Sequence, residues 1–324
     1  MQNASLSTRG LTIKGLVKIH PGPVCALRGV DLEIPEGMFG LLGPNGAGKS
    51  TFMNIVAGLI EPTAGNVLLD GTDVVENPRF MRERLGYLPQ DFGFYPDLTG
   101  RAMLEFLLKL KGVTGPTGRR ALADELLERV NLTSAAKRKV GGYSGGMRQR
   151  LGLAQAIAGN PRVLIVDEPT AGLDPEERQR FYRLLGEMSS GRVVLLSTHI
   201  VDDVSTLCPR LAVIRSGEVV ANTTPSAARA AVDGLIFEGF VADAELPAFA
   251  QEHRVISAVL NEGRNNRVRV FVGSGRAAPL GFARSAATLE DAYLVLMRCS
   301  SDEIPAALTR ATPEFAEHAV GGAA

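Results

Sequence analysis

A chain of 324 residues with 45% hydrophobic side chains has the length for one large domain plus a smaller one, each with a real core. Lys plus Arg and Asp plus Glu both number 35, so there is no net basic charge to hold a nucleic-acid backbone, and nucleic acid is not an expected partner. Three cysteines, Cys25, Cys208 and Cys299, are odd in number and far apart, which argues against a disulfide framework or metal knuckle and for buried thiols in a reducing compartment. The stretch from Met1 to Gly10 lacks the apolar core of a signal peptide, and apolar runs such as Phe52 to Ile60 reach about half the ~18 residues of a bilayer span.

In chain order, short β-branched or Leu-rich runs at Met38 to Leu42, Val163 to Val166, Val193 to Leu196 and Leu211 to Ile214 alternate with helical patterns. That alternation predicts a mostly parallel sheet covered by helices, an α/β core. Over residues 91–143 the texture becomes that of a helical insert. Thr99 can cap a helix with the apolar stripe Met103, Phe106, Leu107 and Leu110, and Ala123, Leu126, Leu127 and Val130 form a second. After a turn at Ser216-Gly217 and the segment Glu218 to Ala221, the small, polar, proline-bearing stretch Thr223 to Ala231 reads as a linker. Strands at Leu235 to Val241, Val255 to Leu260 and Val268 to Val272, with a capped helix at Thr288 to Met297, predict a small α+β appendage. The expected division is therefore a cassette over 1–225, an accessory unit over 226–300 and a loose tail over 301–324.

Gly43-Pro44-Asn45-Gly46-Ala47-Gly48-Lys49-Ser50 fits G-x-x-x-x-G-K-[ST] and lies between the strand Met38 to Leu42 and a helical stretch that begins at Thr51, the context a phosphate-binding loop requires. Glycines let the backbone wrap around phosphate oxygens, the helix N-terminus faces the anion, Lys49 adds a point charge and Ser50 can ligate Mg²⁺. The buried-strand run Val163 to Val166 ends in Asp167-Glu168, two carboxylates at the carboxyl edge of a sheet. One suits Mg²⁺, and the other suits activation of water in line with a γ-phosphate. In Tyr143-Ser144-Gly145-Gly146-Met147-Arg148-Gln149-Arg150, two poor helix formers follow an N-cap serine, which local stability does not explain and a second anion site does.

With these pieces in this order, residues 5–225 resemble the ATP-binding cassette (ABC) ATPases, a P-loop NTPase fold with a helical insert. The resemblance implies ATP and Mg²⁺ as ligands, held between two cassettes so that the phosphate loop through Thr51 faces Ser144, Gly145 and Gly146 of the other. It implies that Asp167 and Ser50 hold the metal and that Glu168 is the base. Gln90, after Leu85-Gly86-Tyr87-Leu88-Pro89, matches the family's glutamine at the metal and water. His199, in Ser197-Thr198-His199, matches the histidine at the γ-phosphate. Ala171-Gly172-Leu173-Asp174 matches the segment that communicates across the dimer, although before Pro175 and Glu177 a capping role for Asp174 is locally sufficient. Where many of these proteins stack a tyrosine on adenine, this chain has His20; the imidazole can stack, and Pro21 and Pro23 equally fit an irregular turn.

The continuation Met147 to Ala156, the stretch Ser197 to Val204 and Thr288-Leu289-Glu290-Asp291-Ala292-Tyr293-Leu294 are similar to cassettes of ABC-2-type exporters. Such cassettes imply separate permease subunits and a peripheral place on the cytoplasmic face of the cell membrane. A soluble ABC ATPase acting on ribosomes or DNA is the competing expectation; those tend to carry two cassettes or a long coiled-coil arm, and about fifty residues between Gln90 and Ser144 are too few for an arm.

Overall fold

The computed structural model describes residues 9–309 apart from 23, 92, 262 and 274. The N-terminal half begins with long strands β1 (Gly10–His20) and β2 (Val24–Pro35), then β3 (Gly37–Leu42) and the helix α1 (Lys49–Val56). Next come β4 (Ala64–Leu69), β5 (Thr72–Asp73), α2 (Pro78–Arg82) and β6 (Leu85–Leu88). Helices α3 (Gly100–Leu110), α4 (Arg119–Arg129) and α5 (Gly145–Ile157) precede β7 (Val163–Asp167), α6 (Pro175–Met188), β8 (Val193–Thr198), α7 (Val201–Leu207), β9 (Arg210–Arg215) and β10 (Glu218–Thr223). The C-terminal part is α8 (Pro225–Val232), β11 (Ile236–Ala242), α9 (Leu246–Glu252), β12 (Arg254–Leu260), β13 (Asn265–Phe271), β14 (Ala283–Arg284), α10 (Leu289–Arg298) and α11 (Ala306–Thr309).

The central sheet has the order β10-β9-β3-β8-β7-β6, parallel except for β10 at one edge. Its inner strands are buried on both faces and their side chains alternate between two cores. Phe39, Leu41, Val163, Ile165, Val193 and Leu195 point into one, while Met38, Leu42, Leu164, Val166, Val194 and Leu196 point into the other. Because the strands are parallel, the loops after β3, β6, β7 and β8 all leave from one edge, and that edge carries the glycine loop, Gln90, Asp167, Glu168 and His199.

The first core is closed by an antiparallel sheet, β2-β1-β4-β5, with Phe52, Met53, Ile55 and Val56 of α1 held against it. No strand was expected over residues 10–35. The pairing of β1 with β2 slips between Ile13 and Leu16, where Gly15 takes a left-handed φ of 55°, so the inward residues run Leu11, Ile13, Leu16 and lose the two-residue period.

The second core holds the insert. Ser144, Thr99 and Asp174 cap α5, α3 and α6 as expected. In α4, Ala123, Leu126 and Leu127, with Val130 just past its end, are buried as read, whereas α3 buries Met103, Leu104 and Leu108 and leaves Leu110 exposed. The face of α3 against α4 and α5 is thus turned toward 104 and 108, and the expected stripe through Leu110 is corrected. Lys111, just past α3, donates to the carbonyls of Gln155 (3.3 Å), Ala156 (3.2 Å) and Ala158 (2.9 Å), capping the C-terminus of α5.

The expected linker is not one. Thr223 closes β10, and Thr224 caps α8 by accepting from the Ala227 N–H at 3.1 Å, so that Ala228 and Val232 are buried. The small residues of this stretch are mostly alanine, the strongest helix former, and the proline sits at the first helical position, where it is tolerated. The strands over 236–284 form the sheet β12-β13-β11-β14, and α10 starts with a full capping box between Thr288 and Asp291. The expected tail also begins too early: Ile304 and Leu308 are buried, α11 spans Ala306–Thr309, and residues 310–324 lie outside the described residues. Ile236, Ile256, Phe271, Val295 and Leu308 belong to the same apolar cluster as Leu88 and Met103.

Candidate functional site

The loop after β3 is a backbone cradle. Gly43 and Gly48 have no room for a side chain: a Cβ on Gly43 would come within 2.5 Å of the Ile214 carbonyl, and one on Gly48, at φ 107°, within 2.6 Å of the Ala26 carbonyl. Gly46 takes φ 78°. The Ala47 N–H donates to the Pro44 carbonyl at 3.2 Å, and the Gly217 N–H donates to the Ala47 carbonyl at 2.9 Å, which fastens the loop to the β9–β10 turn. Lys49 and Ser50 open α1, so the helix N-terminus and the ammonium converge on one cavity.

That cavity is lined by Pro44, Asn45, Gly46, Gly48, Lys49, Ser50 and Thr51 on one side and by Gln90, Asp167 and Glu168 on the other. Lys49 is buried and donates to the carbonyls of Gly43 (2.7 Å) and Pro44 (3.2 Å). Burial lowers its pKa below the ordinary 10.5, with Glu168 and Asp167 opposing the shift. Burial likewise raises the Asp167 carboxyl above its ordinary value, against the pull of Ser197 and Lys49.

Glu168 has a left-handed backbone, φ 47°, held by its N–H on the Ser197 carbonyl at 2.9 Å. Its side chain is buried between two cationic or cation-forming groups: Oε1 lies 3.7 Å from Lys49 Nζ, and Oε2 lies 2.7 Å from Nδ1 of His199, which stands half-exposed after β8. A buried carboxylate and a histidine are thereby joined beside the glycine cradle.

The donors fit a magnesium ion. The Ser50 hydroxyl, the Asp167 carboxylate and the Gln90 side-chain amide, hard oxygen groups from three segments, surround the same cavity as the cradle, and hard oxygens are what Mg²⁺ takes.

His20 is not among the residues that line the cavity. It ends β1, half-buried and paired with Val24 across the turn, and Val24, Cys25 and Ala26 of β2 reach the cavity instead. Cys25 is accordingly half-buried at the site, unlike the buried thiols Cys208 and Cys299. No pattern in the sequence singles out these three residues; only the turn that brings β2 back past the cradle does.

Ser144, Gly145 and Gly146 lie away from this cavity within the chain. Ser144 Oγ accepts from the Met147 N–H at 3.2 Å, and both Ser144 and Gly145 are exposed. Gly146 is buried, and a Cβ there would run into the Glu177 carboxylate. Glu177 is itself held by Arg150 at 3.2 Å and Arg180 at 2.9 Å, and its N–H donates to Asp174 at 2.8 Å. Arg150 also donates to the Asn131 carbonyl at 3.0 Å, so one buried guanidinium joins α5, α6 and the end of α4. Arg150 was not singled out as more than part of a motif, because its partners are distant in sequence.

A profile of the ABC transporter family matches residues 27–171. Over 269 residues, 81% of this chain and 88% of the relative, the chain is 37% identical to Nod factor export ATP-binding protein I of Burkholderia pseudomallei (strain 1710b). It is 38% identical over 231 residues to daunorubicin resistance ATP-binding protein DrrA3 of Streptomyces coeruleorubidus, covering 71% of this chain and 72% of that one. Among solved structures, the dimeric post-hydrolysis state of the ATP-binding cassette MJ0796 bound to ADP and Pi superposes with a TM-score of 0.59 at 30% identity, over 66% of this chain and 98% of that one. A glycine cradle, a paired acidic strand end and a histidine on the neighbouring strand, together with this similarity over most of its length, make the chain a member of the ABC transporter ATP-binding cassettes, an ATPase.

Proposed function

We propose that this chain is the ATP-hydrolysing subunit of a membrane exporter of the ABC-2 type. Two cassettes, identical or paralogous, close around two ATP molecules beneath a separate permease at the cytoplasmic face of the cell membrane. Among the described residues no helix is long and apolar enough to cross a membrane, which fits a division of labour with such a permease. The export part of the reading is supported by the names of the relatives, which speak of export and of drug resistance.

The observation that carries the chemistry is the Glu168 carboxylate, 2.7 Å from His199 and 3.7 Å from Lys49 at the rim of the glycine cradle. The loop Gly43 to Thr51, with the N–H groups at the start of α1, and the Lys49 ammonium bind the phosphates. Ser50, Asp167 and Gln90 hold Mg²⁺, which when bound neutralises charge on the phosphate oxygens. Glu168 takes the proton of the attacking water, and His199 keeps its carboxylate turned toward that water. Ser144, Gly145 and Gly146 close the site from the second cassette with the N-terminal end of α5. The unit over 226–300 supports the cassette pair.

Co-expression with an ABC-2-type permease from the same gene neighbourhood tests the reading. Association of the two, with a change in ATPase rate, is expected. A chain that neither binds its neighbour nor responds to it is not an exporter subunit.

A further inference from the structure

Behind the Glu168–His199 pair lies a carboxylate with no part in the reading above. Asp203, in the first turn of α7, is completely buried. Its Oδ2 accepts from Thr170 Oγ1 at 2.5 Å and from Thr198 Oγ1 at 3.2 Å, and its Oδ1 accepts from the Tyr182 hydroxyl of α6. The Thr198 hydroxyl accepts in turn from the Ile200 N–H at 3.0 Å, which leaves its own proton for Asp203.

A carboxylate out of water is costly unless hydrogen bonds replace its hydration, and here three hydroxyls do so. Helix N-capping does not account for the arrangement, since the side chain caps no N–H of α7 and its bonds from the three hydroxyls reach outward to other segments. Two of those segments bear the reactive pair. Thr170 follows Glu168 by two residues, and Thr198 directly precedes His199. Glu168 sits in a left-handed conformation that a loop does not hold unaided.

We propose that Asp203 is a positioning residue for hydrolysis: by gathering Thr170 and Thr198 on one carboxylate, it locks the loop after β7 to the end of β8 and so sets the Glu168–His199 distance. The inference rests on the reading of that pair as the hydrolytic one. Nothing on Asp203 reaches the phosphate cradle, so its loss acts on turnover and not on nucleotide affinity.

The test uses the full-length chain, with steady-state ATPase kinetics and thermal melts. Asp203→Asn keeps shape and removes the charge. The expected result is a kcat lowered about tenfold or more, with KM for ATP within about twofold and a cooperative melt retained. In a His199→Ala background the same substitution is expected to add little, because both changes disable one unit. A wild-type kcat in folded Asp203→Asn overturns the proposal, as does a loss that multiplies fully with that of His199→Ala. If His199→Ala alone leaves turnover intact, the reading of the pair fails first and takes this inference with it. Should Asp203→Asn not fold, Thr170→Val and Thr198→Val remove the donors one at a time; a wild-type kcat in both overturns the proposal equally.

Discussion

Lys49 Nζ stands 3.7 Å from Glu168 Oε1, both side chains buried, so the cation of the phosphate loop and the candidate base are neighbours across one narrow cavity. Their roles separate on mutation. Glu168→Gln keeps the shape and loses the base, so it is expected to bind ATP with near-normal affinity and to turn over about 10²–10⁴-fold more slowly, the usual worth of a positioned proton acceptor. ATP should then hold a closed pair of cassettes, seen as a dimer on gel filtration. Lys49→Ala is expected to weaken nucleotide binding itself, read by equilibrium binding; unchanged affinity removes Lys49 from the phosphates.

Gly146 faces the Glu177 carboxylate, which Arg150 and Arg180 hold in place. A methyl group there cannot be accommodated by swinging a free side chain. Gly146→Ala is expected to cost about 1–3 kcal/mol through overpacking and to shift the start of α5. ATP binding to the single chain should survive while dimer-dependent hydrolysis falls. Normal hydrolysis in this variant separates the α5 N-terminus from the reaction.

Arg162 donates through Nε and Nη2 to the two carboxylate oxygens of Asp70, 2.9 Å each, and lies 2.7 Å from Glu36. Asp70 in turn accepts from the Gly10 N–H at 2.8 Å. This staple fastens the antiparallel sheet to the base of β7, at the opposite end of that strand from the site. Arg162→Met is expected to destabilise the chain by about 1.5–3 kcal/mol, the range for hydrogen bonds to charged groups. A urea melt reads the loss, and nucleotide affinity under native conditions should not move.

Glu303 accepts from Arg254 Nε at 2.8 Å and from Ser300, and these bonds hold its pKa down to about 2 from an ordinary 4.5. A carboxylate lowered in the folded state stabilises fully above its unfolded value and loses that contribution as pH falls through the folded one. The difference in melting temperature between the wild type and Glu303→Gln should therefore be constant above pH 4.5 and close toward pH about 2. A constant gap down to the lowest pH removes the pair as the cause.

The parts of the site that a local pattern dictates were legible in the sequence. A cradle needs glycines at fixed spacing, and a parallel strand delivers its carboxylates at a known edge, so Gly43 to Ser50, Asp167 and Glu168 could be read directly. His199 and Gln90 were reached through family resemblance, and the cavity brings Gln90 to Ser50 while β8 brings His199 to Glu168. Contacts set by tertiary folding left no local trace. Asp203 looked like any acidic residue in a helical first turn, and Arg162 finds Asp70 across 92 positions. His20 stands at the paired end of β1, and Val24, Cys25 and Ala26 of the neighbouring strand line the cavity, a placement that no local pattern announces. The bulged β1 hid a sheet, and an alanine-rich α8 passed for a linker.

Arg215, on β9, donates to the carbonyls of Leu296 and Cys299 at the end of α10, and two residues later the Gly217 N–H holds the phosphate loop through Ala47. The C-terminal layer is therefore no removable cap. A shortened chain ending at residue 225 would wet the side of the second core that Val232, Ile236, Val295 and Leu308 cover, and would free the turn against which the cradle is braced. Loss of ATP binding on such truncation would report a collapsed scaffold. Questions about regulation by this region are better put with point substitutions on its outer face.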